Sequence, residues 1–75
     1  MVFIDIIQDG HLLILNCHKN SEDGEFFQLI VDSRTREILQ APEYPDMDAS
    51  VAYSHIRGLL SSGKPIPTKT VAAWG

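Results

Sequence analysis

The chain has 75 residues, with ten Asp and Glu against six Lys and Arg, and a formal net charge of −4 at pH 7. That length suits one domain rather than two, and a chain this short buries only about 60% of the surface its unfolded form exposes. The basic residues Lys19, Arg34, Arg36, Arg57, Lys64 and Lys69 are scattered rather than striped, so neither a phosphate backbone nor an anionic bilayer is an expected partner.

A single cysteine, Cys17, excludes an internal disulfide and favours a reducing, cytoplasmic setting. No stretch approaches the ~20 apolar residues that span a bilayer. The opening segment MVFIDIIQDG has no basic n-region, and Asp5 and Asp9 interrupt its apolar run; it reads as a strand and not as a signal peptide. With no repeat and no low-complexity tract, the expectation is a complete small protein forming one domain over residues 1–75.

The first hairpin joins VFIDIIQ to HLLILNC through Asp9-Gly10, a dipeptide suited to a two-residue type I′ turn. That turn would oppose Val2 to Cys17, Ile4 to Leu15 and Ile6 to Leu13, all on one wholly apolar face that must be core. The other face would pair Phe3 with Asn16, Asp5 with Ile14 and Ile7 with Leu12. The second hairpin joins EFFQLIV to REILQ through DSRT, where Asp32, Ser33 and Thr35 favour a turn. Arg36 stands where this kind of hairpin usually has Gly, which leaves the register open.

The connector APEYPDMD leads to a helix with Asp48 as the expected N-cap, running to about Ser62. Gly63 and Pro65 stop it. Ala52, Ile56, Leu59 and Leu60 make its apolar stripe. Near that stripe, Gly58 is expected to allow close approach to the sheet. The segment TKTVAAW reads as a short strand or extended tail. The predicted architecture is α+β: an antiparallel sheet of four to five strands in the order β-β-β-β-α-β, with one helix packed on one face.

The polar stretch NCHKNSEDGE, residues 16–25, invites a metal or catalytic reading. Cys17 and His18 are adjacent in a strand, so they point to opposite faces and cannot share an ion. Neither the lone Cys nor His11, His18 and His55 have zinc-ligand spacing, and KNSEDGE does not alternate oxygen ligands as a calcium loop does. Cys17 falls on the core face with no adjacent base. Asp48 is explained by the helix start, and Tyr53, Arg57 and Ser61 share the helix's outer side. The chain carries no phosphate-loop, dinucleotide, zincin or serine-hydrolase motif. No cofactor, metal or catalytic residue is assigned, and the chain is read as non-enzymatic.

One feature carries a functional expectation. The face opposite the helix presents Phe3, Ile7, Leu12 and Ile14, joined by Phe26, Ile30 or Ile38 according to register, as a contiguous apolar patch on the order of several hundred Å². Trp74 in the tail is a candidate to cover it. A second copy packed sheet on sheet, or a different protein, is the other candidate cover. A homodimeric interaction or regulatory module is therefore expected. The alternative is a small-molecule or substrate-binding subunit with a pocket between protomers, using His11, His55 or Trp74. An open edge at the last strand is a separate route to association.

Overall fold

The computed structural model describes residues 1–43 and 46–73. Five strands and one helix follow in the expected order: β1 (Val2–Asp9), β2 (Leu12–Lys19), β3 (Phe26–Asp32), β4 (Ile38–Gln40), α1 (Met47–Ser61) and β5 (Lys69–Ala72). They form one antiparallel sheet in the order β4-β3-β2-β1-β5, with the helix against one face. The α+β architecture is as the sequence predicts. No helix among the described residues is long and apolar enough to cross a membrane.

The β1–β2 register differs from the expected one by two residues. Asp9 pairs with Leu12, Ile6 with Leu15, Ile4 with Cys17 and Val2 with Lys19, so Gly10 and His11 are the central turn residues. Gly10 has φ +62 and His11 does not share the left-handed region. That places glycine at the first central position, the type II′ preference, instead of the Asp-Gly type I′ arrangement. A shift of two leaves every side chain on its original face. Val2, Ile4, Ile6, Leu13, Leu15 and Cys17 are accordingly all buried, joined by Phe27, Leu29 and Val31 of β3.

The helix starts two residues before the expected cap. Asp46 is the N-cap, accepting from the Ala49 amide at 3.1 Å, and Asp48 lies in the first turn, where its charge suits the helix dipole. Ala49, Ala52 and Ile56 are buried on the sheet, with Leu59 and Leu60 packed partly against the same core. Gly58 is exposed, and a Cβ there would meet nothing within 4 Å. The expectation of close approach at Gly58 is corrected: the helix approaches the sheet through its alanines. Tyr53, expected on the outer side, is half-buried and donates its hydroxyl to the Arg36 carbonyl at 2.6 Å, tying the helix to the β3–β4 turn.

That turn is built on Asp32. Its carboxylate accepts from the Arg34 and Thr35 amides at 2.8 and 3.1 Å, and these bonds hold it below the usual carboxylate range. Arg36 takes φ +66 in the position where glycine is usual, and the register slips at Ile30/Val31. After the helix, β5 returns along β1 and becomes an edge strand, pairing Val2 with Ala72 through Asp5 with Lys69. His55 Nε2 meets Thr70 Oγ1 at 2.8 Å and links helix to edge.

Candidate functional site

The polar loop of residues 20–25 is structural in its lower part. Lys19 sits at its base, where its ammonium meets Asp46 at the helix cap, Asp48 at 3.7 Å and Glu25 at 3.8 Å, and lies 5.9 Å from the centre of the Phe27 ring. The Asp46 hydrogen bond raises the Lys19 pKa, and the same bond with the Ala49 amide lowers that of Asp46. Asn20 takes φ +65, Ser21 donates to the Lys19 carbonyl at 2.8 Å, and Gly24 donates to the Ser21 carbonyl at 3.0 Å. Lys19 thus fastens the β2–β3 loop to the start of α1.

Cys17 and His18 point to opposite faces. Cys17 is fully buried, and burial with the nearby Asp5 charge pushes its thiol up to about 12. It is held protonated, unlike a nucleophilic thiolate. His18 is on the open face, its ring centroid 5.4 Å from that of Phe26, with Nδ1 3.2 Å from the Gly24 carbonyl. A carbonyl only accepts, so Nδ1 is the protonated nitrogen in this contact. His11 lies 3.6 Å from Asp32 at one end of β3, whereas His55 pairs with Thr70 on β5. These two candidates for a pocket between protomers are not brought together, and Trp74 lies outside the described residues. Among the described residues no three His, Cys, Asp or Glu converge to hold a metal ion.

The open face of the sheet has an order the sequence reading missed. Across the strands it forms three rows. The first is Val71–Phe3–His18–Phe26, on β5, β1, β2 and β3. The second is Lys69–Asp5–Asn16–Gln28, and the third is Ile7–Ile14–Ile30, with Leu12 beyond it. The expected contiguous patch is therefore corrected to two apolar strips divided by a polar row. Phe3 belongs to one strip and Ile7, Leu12 and Ile14 to the other.

The polar row is bonded along most of its length. Lys69 Nζ lies 3.7 Å from Asp5, Gln28 donates to Asn16 at 2.8 Å, and Gln40 on β4 donates to Gln28 at 3.1 Å. Ile7, Phe26 and Val71 are about half exposed, while Phe3, Leu12, Ile14 and Ile30 are half-buried by their neighbours. A depression of about 400 Å³ opens on this face, floored by Phe3, Asp5 and Val71 and walled by His18, Glu22 and Asp23.

His18, Asn16, Gln28, Lys69 and Val71 were the residues missed. A usable signal was the pairing itself. A register summing to 21 instead of 19 sets Asp5 against Asn16 and Ile7 against Ile14, polar with polar and apolar with apolar. Comparison of the chain with models of known families, with curated proteins and with solved structures finds no match.

Proposed function

We propose that this chain is a non-enzymatic interaction module that pairs with a second copy of itself through the open face of its sheet. The observation that carries the reading is the surface opposite the helix, where seven apolar side chains flank a polar row whose only ionised groups, Asp5 and Lys69, are paired with each other. The row itself is neutral, and the acidic groups of this face, Asp9 and Asp32 beside Leu12 and Glu22 and Asp23 at the opposite end, lie at its two ends. Its area also suits a modest dimer. Five strands of three to eight residues, about 4.8 Å apart, make a face of roughly 500 Å². Two such faces together come to about 1,000 Å², at the lower bound for a specific interface.

The test is mass in solution by light scattering behind size exclusion, for wild type and for Ile7→Asp. Ile7 is already about half exposed, so the substitution leaves the folded chain intact. Wild type should run as a dimer at high concentration and the variant as a folded monomer. A wild-type monomer throughout the range would end the reading.

A second reading draws on the depression beside Phe3 and His18, which a second copy would roof over to make a small-molecule pocket. It is separated by a metabolite screen: a bound ligand raises the melting temperature, and a depression filled by protein gives no shift. A cytoplasmic setting belongs to the same proposal and is supported by the single thiol, Cys17.

A further inference from the structure

The charges of this chain are divided along its length. All ten acidic side chains lie within residues 1–48, and residues 49–75 carry Arg57, Lys64 and Lys69 with no acid among them. A protein with a net charge of −4 therefore has a helix without a carboxylate beyond its first turn.

The fold adds to that positive side. Tyr53 donates its hydroxyl to the Arg36 carbonyl at 2.6 Å, and the Arg57 guanidinium, one helical turn on, lies over the Tyr53 ring at 5.6 Å from its centre. One tyrosine thus brings Arg57 of the helix beside Arg36 of the β3–β4 turn, with Arg34 two residues away in the same turn. Ile38 follows directly. It pairs with Val31, a core residue, so it lies on the helix side of the sheet, 45% exposed on the edge strand β4. The result is a shelf between α1 and β4, apolar at Tyr53 and Ile38 and bordered by exposed arginines. The nearest acids in sequence belong to the other side. Asp32 pairs with Leu12 on the open face, where the turn amides occupy its carboxylate. The Glu37 carbonyl accepts from the Asp32 amide at 2.9 Å, in line with the ladder, and alternation with Ile38 turns its side chain to the open face.

Two observations set these arginines apart from the needs of the fold. Among the described residues none of Arg34, Arg36 and Arg57 forms an ion pair, whereas Lys19 and Lys69 each meet an aspartate. In addition, Arg36 holds φ +66, a conformation that glycine adopts without strain and arginine does not. A strained arginine with no partner inside the chain is accounted for by a partner outside it.

We propose that this shelf binds an acidic segment of a partner protein, with carboxylates on Arg36 and Arg57 and an apolar side chain against Tyr53 and Ile38. Charge complementarity selects the occupant. A guanidinium takes a carboxylate through two parallel N–H···O bonds, and Arg57, held over Tyr53, is in place before the partner arrives. A nucleic acid duplex fits worse, because its phosphates run on past the shelf toward the carboxylates of residues 1–48. The shelf is on the helix side of the sheet, so the proposal stands apart from the pairing proposed for the open face.

The test is a titration of ¹⁵N-labelled protein, read by backbone amide shifts, with an end-blocked peptide of four glutamates around one leucine. Saturable shifts are expected over residues 34–38 and 53–57, and none there with the lysine counterpart of the peptide. Arg36→Gly and Arg57→Gln should each raise the peptide Kd about tenfold, the loss of one charge-assisted contact. Arg36→Gly should at the same time melt no lower than wild type, which separates the lost contact from lost folding. No saturable shift up to about 1 mM peptide, or an unchanged Kd in both variants, overturns the proposal. Inorganic phosphate that shifts the same amides as strongly at equal concentration makes this a site for a single oxyanion and overturns the acidic segment. A DNA duplex that binds there more tightly than the peptide at the same salt overturns it in favour of nucleic acid.

Discussion

Gly58→Ala and Gly24→Ala should move stability in opposite directions for reasons that are separately visible. Gly58 lies in the interior of α1, and a Cβ there meets nothing within 4 Å. Neither packing nor a clash then contributes, and the helix propensity difference of about 1 kcal/mol acts alone. For a domain of this size that is a rise in Tm of roughly 4–8 °C. At Gly24 a Cβ would stand 1.7 Å from the Lys19 carbonyl oxygen and 2.8 Å from its carbon. Both atoms are backbone, so no rotamer relieves the contact. The loop must open, disturbing the Gly24–Ser21 bond at 3.0 Å and the Lys19–Glu25 bond at 2.9 Å, and a loss on the order of 2 kcal/mol follows. The assay is urea unfolding followed by far-UV circular dichroism at one low protein concentration, compared at constant m. A Gly58→Ala variant that lost stability would mean that the helix surface is covered there. A Gly24→Ala variant as stable as wild type would refute the described hold of the loop on Lys19.

Arg36→Gly should gain roughly 0.5–1 kcal/mol in the same assay, because it relieves a side chain at φ +66 while keeping the Tyr53 bond to the backbone carbonyl. The Cys17 thiol, raised from 9.0 to about 12, holds roughly a thousandfold less thiolate at pH 8 than an ordinary cysteine. Its labelling by a disulfide reagent should be slow in buffer and accelerate with urea in step with unfolding; fast labelling in buffer would contradict its burial. Asp32 and Asp46 are held below 3.8, so their contribution to stability is complete above the unfolded value and is lost as pH falls through their lower folded values. Lys19 is raised above 10.5, so its contribution is complete below that value and is lost as pH rises through the raised one. Urea midpoints should therefore drop at both extremes, and Asp46→Asn, which keeps a capping side chain, should flatten the acid limb.

Much of the fold was legible because it depends on parity and punctuation. The alternation in VFIDIIQ and HLLILNC assigns core residues without a register, and Val2, Ile4, Ile6, Leu13, Leu15 and Cys17 are buried despite a two-residue error in pairing. Gly63, at φ +72, and Pro65 end the helix where the sequence says. The start was harder because Asp46 and Asp48 both qualify as caps by type. What separates them is the hydrogen bond to Ala49, together with Lys19 arriving from 27 positions away. Gly58 was misread because proximity in sequence to a stripe does not fix the angle around the helix. The edge position of β5 is a long-range fact, set by pairing with β1 after the whole chain has intervened.

The candidate face shows why register matters more to a surface than to a core. A two-residue shift leaves the core set unchanged, since any apolar side chain there meets another. On the open face the same shift decides whether Asp5 lies beside Ile14 or beside Asn16, and so whether the polar groups are scattered or aligned. Aligned, they give the face a ruler. A wholly apolar sheet accepts an occupant at many offsets with similar energy. A row of amides and one ion pair does not, because sliding an occupant by one row sets Asn16 and Gln28 against aliphatic side chains. Each buried amide group left without a partner costs about 1–3 kcal/mol. At the proposed interface of roughly 1,000 Å², where the net binding energy would be small, a penalty of that size leaves one register standing.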